Sequence, residues 1–129
     1  MPISTSDVAA AKYVSLVTFR KTGEEVRTPV WIAPDSGKHY VFSESKAGKV
    51  KRLKNNPAIK LALCDVRGNL LSSDWLEGQA GVIADPVVIA AAYKSFTHKY
   101  GLIMRATNFM ARLSGRYDKR AMLEITLTE

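Results

Sequence analysis

Six short runs of β-forming residues most constrain what this chain can fold into. Each run is rich in β-branched, aromatic or leucine side chains, and most are bounded by turn-forming residues, a pattern typical of strands. The runs are Tyr13–Arg20, Val26–Ala33, Lys38–Phe42, Ala58–Val66, Trp75–Ala84 and Ala121–Leu127. We expect the first three to form a β-meander. The pattern predicts a mainly β member of the α+β class, a six-stranded antiparallel barrel with short helices.

Proline and glycine positions refine this prediction. Pro29 removes one backbone donor from the second run, so we expect that strand to be an edge, bulged or ligand-facing at this point. Gly78 and Gly81 interrupt the fifth run, which suggests the bending that a barrel wall needs.

Four helices are expected, one before the first strand and three between later strands. Ser4–Ala11 forms a short lead-in helix capped by Ser4 or Ser6. A second helix, discussed below, follows the third strand. Asp85 caps a third helix, in which the apolar residues Val88, Ala92 and Phe96 recur every four residues, Pro86 takes the first position and Gly101 marks the end. Leu102–Leu113 shows a further helical pattern, through Leu102, Ala106, Phe109 or Met110, and Leu113.

Length and composition indicate one soluble domain over residues 1–129. The chain is 47% apolar and 24% charged, as folded soluble domains usually are, and no run approaches the ~20 apolar residues of a membrane span. Met1–Ala11 lacks the basic and apolar regions of an export signal. Cys64 is the single cysteine and cannot form an internal disulfide. We therefore expect a cytoplasmic protein, not associated with membranes, in which Cys64 is a buried, inert thiol.

The net charge of +7 is high for this length and predicts an anionic partner. Phosphate-bearing cofactors, nucleic acids and acidic peptides all satisfy this requirement. The segment Lys94–Arg120 holds seven cations and one acid, Asp118. It is interpreted either as the polar faces of two surface helices or as a landing surface for an anionic tail or a nucleic-acid backbone.

The stretch from Ser43 to Pro57 is the strongest candidate for an anion site. Ser45 is expected to cap a short helix in which Val50 and Leu53 share one face, and Asn56-Pro57 ends it. Five cations crowd this stretch, namely Lys46, Lys49, Lys51, Arg52 and Lys54. The N-terminus of a helix favours anions, so the stretch is either a phosphate site, where Gly48 lets backbone approach the ligand, or a solvated basic helix face.

The two tryptophans, Trp31 and Trp75, can each be interpreted either as core residues or as residues that contact a partner. The strand segment Arg27-Thr28-Pro29-Val30-Trp31 could support a flat heteroaromatic ring close to the phosphate site, or Trp31 could simply pack in the core. Trp75 begins a strand and is interpreted as a core residue or as an anchor at a dimer seam.

The usual catalytic constellations are missing from the sequence. Two histidines, one cysteine and no paired acidic spacing predict no metal site. There is no Walker A loop, no GxGxxG and no Gly-x-Ser-x-Gly elbow. An enzyme of this composition would take its chemistry from a bound cofactor, and the catalytic residues stay unassigned.

Several runs together resemble the flavin- and deazaflavin-dependent oxidoreductases of the pyridoxamine-phosphate-oxidase-like split β-barrel superfamily, in particular small proteins of the probable F420-dependent group. The runs are YVSLVTFRKTG at 13–23, RTPVWIA at 27–33, YVFSESKAGKVKRLKNNPAIKLALCDVRG at 40–68, EGQA at 77–80 and HKYGL at 98–102. They span most of the chain. The most specific parts are residues 48–53 and 64–68.

The resemblance implies a split β-barrel homodimer with a cofactor cleft at the subunit interface. It implies that Thr28, Pro29 and Val30 line the ring of F420 or FMN, and that Ser43, Gly48, Lys49 and Lys51 hold the phosphate. Relatives often have serine where this chain has Ala47, which removes one phosphate hydroxyl; Lys46 beside it is the candidate replacement.

The sequence leaves three candidate functions. The first is an oxidoreductase that transfers a hydride between F420, or alternatively FMN, and a small organic substrate, with Tyr93, His98 and Tyr100 as unranked proton donors. The second is a protein that binds or sequesters the cofactor without efficient turnover. The third, a basic nucleic-acid-binding domain, is disfavoured because the aromatic residues are not interleaved with cations.

Overall fold

Seven antiparallel strands form one curled sheet in the computed structural model, which describes residues 3–115 and 119–128. The strands are β1 (Val14–Phe19), β2 (Glu25–Val30), β3 (Ala33–Asp35), β4 (Lys38–Glu44), β5 (Ala58–Leu63), β6 (Leu76–Ile83) and β7 (Arg120–Leu127). Their order across the sheet is β2-β1-β5-β6-β7-β4-β3. The helices are α1 (Thr5–Ala10), α2 (Gly48–Asn55), α3 (Pro86–Tyr100) and α4 (Leu102–Leu113). Arg116 and Asp118 of the basic segment lie outside the described residues.

The prediction of six strands was wrong by one, because the expected strand Val26–Ala33 is two strands. β2 ends at Val30 and pairs with β1, whereas β3 begins at Ala33 and pairs with β4. Trp31 and Ile32 carry the chain from one edge of the sheet to the other. The predicted meander is confirmed for its first two runs, since β1 pairs with β2. It is wrong for the third run, because β2 has no pairing with β3 or β4. The expectation that the strand holding Pro29 lies at an edge is confirmed.

Two apolar clusters cover the two faces of the sheet. Strand residues alternate between faces, so in β4 Val41 joins the cluster with Val50 and Leu53 of α2. Its neighbour Tyr40 joins the cluster with Phe96 of α3. The basic helix and the C-terminal helices therefore pack on opposite faces. Cys64 is buried, as predicted.

Helix α2 begins three residues after the predicted cap. Its N-cap is Ala47, which makes no side-chain capping bond. The predicted cap, Ser45, is held in the sheet instead, because its N–H donates to the carbonyl of Lys119 at 2.7 Å and so extends the pairing of β4 with β7. The predicted end at Asn56 is confirmed.

The other helix boundaries agree with the sequence. Ser4 caps α1 in a capping box with Asp7, Asp85 caps α3, and Gly101 separates α3 from α4 with φ of +60°. None of the helices among the described residues is long and apolar enough to cross a membrane.

Helix α4 turns its large apolar side chains outward. It buries Met104 and Ala111, while five large apolar side chains are 61–80% exposed, namely Leu102, Ile103, Phe109, Met110 and Leu113. We call these five residues the α4 stripe. The sequence pattern predicted the helix but not which of its faces is buried.

Candidate functional site

A cavity of about 800 Å³ lies between the end of β2, the end of β4 and helix α4. One wall is mainly apolar and is made by Pro29, Val30, Trp31 and Phe42. Helix α4 forms a second wall through Ala106, Thr107, Met110 and Ala111. The other lining residues are polar, namely Ser43, Glu44, Lys49, Ser114 and Arg120. The volume falls in the range of small-molecule and cofactor sites, and the combination of apolar walls with a few polar groups is typical of them.

Trp31 and Ile32, which link the two edges of the sheet, help to position the apolar wall of the cavity. Trp31 lies against Tyr100, the last residue of α3, with ring centroids 4.6 Å apart and planes nearly parallel. The Tyr100 hydroxyl accepts a hydrogen bond from the Ile32 N–H at 3.1 Å and donates to the Lys12 carbonyl at 2.7 Å. Lys99 Nζ donates to the Ile32 carbonyl. The end of α3 thus fixes the backbone beside the cavity on both sides of Ile32.

A tight turn supports Pro29 from outside the cavity. The Asp65 carboxylate accepts hydrogen bonds from the backbone N–H groups of Arg67 and Asn69, both at 2.9 Å. Gly68 in this turn has φ of +89°, and a β-carbon there would lie 3.7 Å from the Pro29 ring. The hydrogen bonds lower the pKa of Asp65, so the carboxylate stays charged and keeps the turn formed.

Two cations and a hydroxyl meet at the polar end of the cavity. Ser43 is buried at the end of β4, and Lys49 reaches the same space from the first turn of α2. The guanidinium of Arg120 lies 4.5 Å from the centroid of the Phe42 ring, and its Nη1 donates to Asn108 Oδ1 at 2.8 Å. These groups can bind an anion through charge-assisted hydrogen bonds.

The electrostatic environment of Lys49 is that of a half-buried cation. Burial lowers the pKa of Lys49, the like charge of Arg52 lowers it further, and Glu44 opposes both effects. An anion bound in the cavity would favour the charged ammonium. Lys99, whose Nζ donates to the Ile32 carbonyl, has its pKa lowered to about 8 by burial.

The structure brings four of the seven predicted site residues together: Pro29, Val30, Ser43 and Lys49 line the cavity. Thr28, Gly48 and Lys51 do not line it. Lys51 is exposed two residues after Lys49, and side chains at this spacing point to different sides of a helix.

The space beside Gly48 is taken by another side chain. A β-carbon at Gly48 would lie 2.7 Å from Nη1 of Arg52, which folds back along the helix so that its Nε donates to Thr18 Oγ1 at 2.7 Å. Gly48 therefore makes room for Arg52 in this structure.

The sequence prediction of the site missed the α4 wall and Arg120. In the sequence, Arg120 is only one cation of the basic segment, and the small residues of α4 give no sign of a cavity. No local signal marks this wall, because the buried face of α4 includes the large Met104 as well as Ala111.

The three proton donors suggested from the sequence do not lie at the cavity. None of the three suggested donors, Tyr93, His98 and Tyr100, lines it. Burial and the nearby Tyr13 raise the pKa of Tyr100 to about 12, and its hydroxyl is occupied by backbone groups. Among residues 3–115 and 119–128, no group of three or more His, Cys, Asp or Glu side chains could hold a metal ion.

Comparison with solved structures identifies the fold. No family model and no curated protein matches the sequence. HutZ, a heme storage protein from Vibrio cholerae, superposes with a TM-score of 0.71 at 11% identity, over 100% of this chain and 92% of that one. A candidate pyridoxamine 5'-phosphate oxidase from Listeria innocua gives 0.63 at 12% identity over 97% and 90%. An F420 reductase gives 0.56 at 20% identity over 100% and 97%. The chain therefore has the split β-barrel fold of the pyridoxamine-phosphate-oxidase-like proteins.

Proposed function

We propose that the chain binds the deazaflavin F420, or alternatively FMN, in the cavity between β2, β4 and α4, and transfers a hydride between the ring and a small organic substrate. The observation that carries this proposal is the convergence of an apolar, aromatic wall with a buried hydroxyl and two cations in one cavity. A flat ring attached to a phosphate needs both kinds of surface. The fold is also one in which an F420 reductase occurs.

The residues divide into two roles in this proposal. Pro29, Val30 and Trp31 would lie against the ring, while Ser43, Lys49 and Arg120 would bind the phosphate. The bound cofactor supplies the hydride chemistry, and the protein supplies alignment and exclusion of water. The walls suit that task, because Trp31 is fixed from behind by Tyr100 and Pro29 is supported by the turn at Gly68.

We also propose that the protein acts as a homodimer. The α4 stripe borders the cavity, since Met110 belongs to both. Large contiguous apolar patches on a protein surface mark interaction sites. A second copy lying over this stripe would cover the cavity and shield a bound ring from water.

A second candidate function is binding or sequestering of the cofactor without efficient turnover. The specific observation in its favour is that Tyr93, His98 and Tyr100 all lie outside the cavity lining. HutZ, which shares the fold, is a heme storage protein.

The test of the proposal is a fluorescence titration of the purified protein with F420 and, separately, with FMN. We expect micromolar or tighter binding of at least one. Failure to bind either would refute the proposal. For a protein that binds, following the oxidation of reduced F420 or FMN across a panel of small acceptors separates an oxidoreductase from a sequestering protein.

A further inference from the structure

Tyr100 lies in a short column of aromatic rings beside the cavity. Its ring stacks on that of Trp31, with centroids 4.6 Å apart and planes 13° apart. The Phe96 ring lies 6.0 Å from the Tyr100 ring, at an interplanar angle of 19°. Phe96 is fully buried, whereas Trp31 is half-buried and lines the cavity. The column therefore connects the apolar core beneath α3 to the wall of the cavity.

The hydroxyl of Tyr100 joins two segments that are distant in the chain. It donates to the carbonyl of Lys12, which lies between α1 and β1, at 2.7 Å. It accepts a hydrogen bond from the N–H of Ile32, which lies between β2 and β3, at 3.1 Å. Ile32 directly follows Trp31, so the second bond fixes the backbone that carries the indole. A phenylalanine in place of Tyr100 could stack in the same column but could make neither bond.

Lys99 completes the hold on Ile32. Its Nζ donates to the Ile32 carbonyl, so consecutive residues at the end of α3 bind both backbone polar groups of Ile32. Ile32 is fully buried, and buried backbone groups need hydrogen-bond partners. The end of α3 supplies these partners and thereby fixes the link between β2 and β3.

Tyr100 is suited to hold the wall and not to exchange protons with a ligand. It does not belong to the lining of the cavity. Burial raises the pKa of Tyr100 to about 12, with the hydrogen bond from Ile32 opposing this effect and Tyr13 adding to it. The hydroxyl therefore keeps its proton, and with it the bond to Lys12, at physiological pH. A fixed wall matters for hydride transfer, because a misplacement of about 1 Å can cost about a hundredfold in rate.

We propose that Tyr100 is a positioning residue for ring binding: its hydroxyl holds Ile32 and thereby places the indole of Trp31 where a flat ring lies against it. This role rests on the proposed function and deepens it, because it makes ring binding depend on a residue outside the cavity. Tyr100 acts through Trp31 and does not itself touch the ligand. Its contribution should therefore vanish when the indole is absent.

The first experiment measures whether Tyr100 acts through Trp31. Kd values for F420 and for FMN are obtained by fluorescence titration of the wild type, Tyr100→Phe, Trp31→Leu and the double variant. We expect the Kd of Tyr100→Phe to rise about fivefold, the change that corresponds to the loss of one hydrogen bond. In the Trp31→Leu background the same substitution should change the Kd by less than about twofold, because the two residues act as one unit. A fivefold loss in both backgrounds would overturn the inference, since Tyr100 would then act on the fold as a whole.

Tyr40→Phe is the matched control. The Tyr40 hydroxyl is also hydrogen-bonded, at 2.9 Å from Glu124 Oε2. Tyr40 belongs to the apolar cluster on which Tyr100 packs, but it does not line the cavity. The Kd of Tyr40→Phe should equal that of the wild type. An equal loss in the two variants would mean that affinity follows the stability of the cluster, and the assignment of Tyr100 would be wrong.

The second experiment follows Trp31 without any ligand. The chain has two tryptophans, so Trp75→Phe leaves Trp31 as the single indole. In this background we expect Tyr100→Phe to increase the quenching of Trp31 fluorescence by acrylamide, because the indole is held less firmly. Tyr40→Phe should leave the quenching unchanged.

A second variant of the same anchor covers the case in which Tyr100→Phe does not fold. Lys99→Met removes the bond to the Ile32 carbonyl and should increase the quenching of Trp31 in the same way. An unchanged Trp31 signal in the folded variants would overturn the inference, whatever the ligand. If the wild type binds neither F420 nor FMN, the proposed function fails, and the role of Tyr100 in ring binding fails with it.

Discussion

Replacement of Lys49 by glutamine tests whether the basic helix is a phosphate site or a solvated surface. Lys49 lines the cavity and is half-buried, whereas Lys51 is exposed and lies outside it. A hydrogen bond to a charged group contributes about 1.5–3 kcal/mol. Because Arg120 would still face the phosphate, we expect a loss near the lower limit for Lys49→Gln. That is a tenfold or somewhat larger increase in Kd.

Lys51→Gln is the matched control, since it removes the same charge from the same helix. Exposed ion pairs contribute up to about 1 kcal/mol, so its Kd for F420 or FMN should rise less than fivefold. Both variants are measured by the same fluorescence titration. Equal losses in the two variants would mean that the helix acts only through its overall charge, and the assignment of Lys49 would be refuted.

For Lys49→Gln, a second measurement is its thermal stability in the absence of ligand. Burial and Arg52 lower the pKa of Lys49, so keeping this ammonium charged disfavours the folded state at neutral pH. We therefore expect the Tm of ligand-free Lys49→Gln to equal or exceed that of the wild type. A clear fall in Tm would show that Lys49 mainly stabilises the fold, and the weakened binding could then no longer be read as a lost phosphate contact.

Two further predictions concern the framework of the site. A β-carbon at Gly78 would clash with the backbone carbonyl of Thr126, while at Gly81 it would meet nothing within 4 Å. Gly78→Ala should therefore lower the free energy of unfolding by about 1–3 kcal/mol. Urea denaturation measures this loss and should show little change for the control, Gly81→Ala. Lys99 has a folded-state pKa of about 8 against an ordinary value of 10.5, so between these pH values the unfolded chain binds more protons and stability rises with pH. The Tm of the wild type relative to Lys99→Met should increase over this window, and a flat difference would contradict the burial of that ammonium.

The local elements of this fold could be predicted from the sequence because their signals are local. Ser4, Asp85 and Gly101 mark helix ends through their own hydrogen bonds and dihedral angles. Pro29 correctly indicated an edge strand, since proline has no backbone N–H to donate to a neighbouring strand and is therefore tolerated mainly at sheet edges.

Pairing between strands could not be predicted in the same way. Trp31 and Ile32 are good strand formers, and nothing in their sequence marks the point where the chain leaves one sheet edge for the other. The bonds that hold them come from Tyr100, 68 residues later. Ser45 has the side chain of a helix cap, but its N–H donates to the carbonyl of Lys119, which holds Ser45 in the sheet instead.

Within the segments that the sequence singled out, four of the seven predicted residues line the cavity and Thr28, Gly48 and Lys51 do not; the parts of the site that depend on packing were missed. Pro29, Val30, Ser43 and Lys49 belong to runs that the family resemblance singled out, and they line the cavity. The wall formed by α4 is a consequence of which helix face is buried. That choice is made by Met104 and Ala111 against the rest of the molecule, and it has no local signal.

The position of β7 has a consequence for how the protein matures. β7 is the last strand of the described residues but lies inside the sheet, where it pairs with β6 on one side and β4 on the other. Within the sheet, β3 and β4 are joined to the other strands only through it. During synthesis on the ribosome, Ser43 of β4 and Lys49 of α2 are made early, yet Arg120, which lines the same cavity, is added only when residues 120–127 emerge. The cofactor proposed above could therefore be captured only after residues 120–127 have been synthesised.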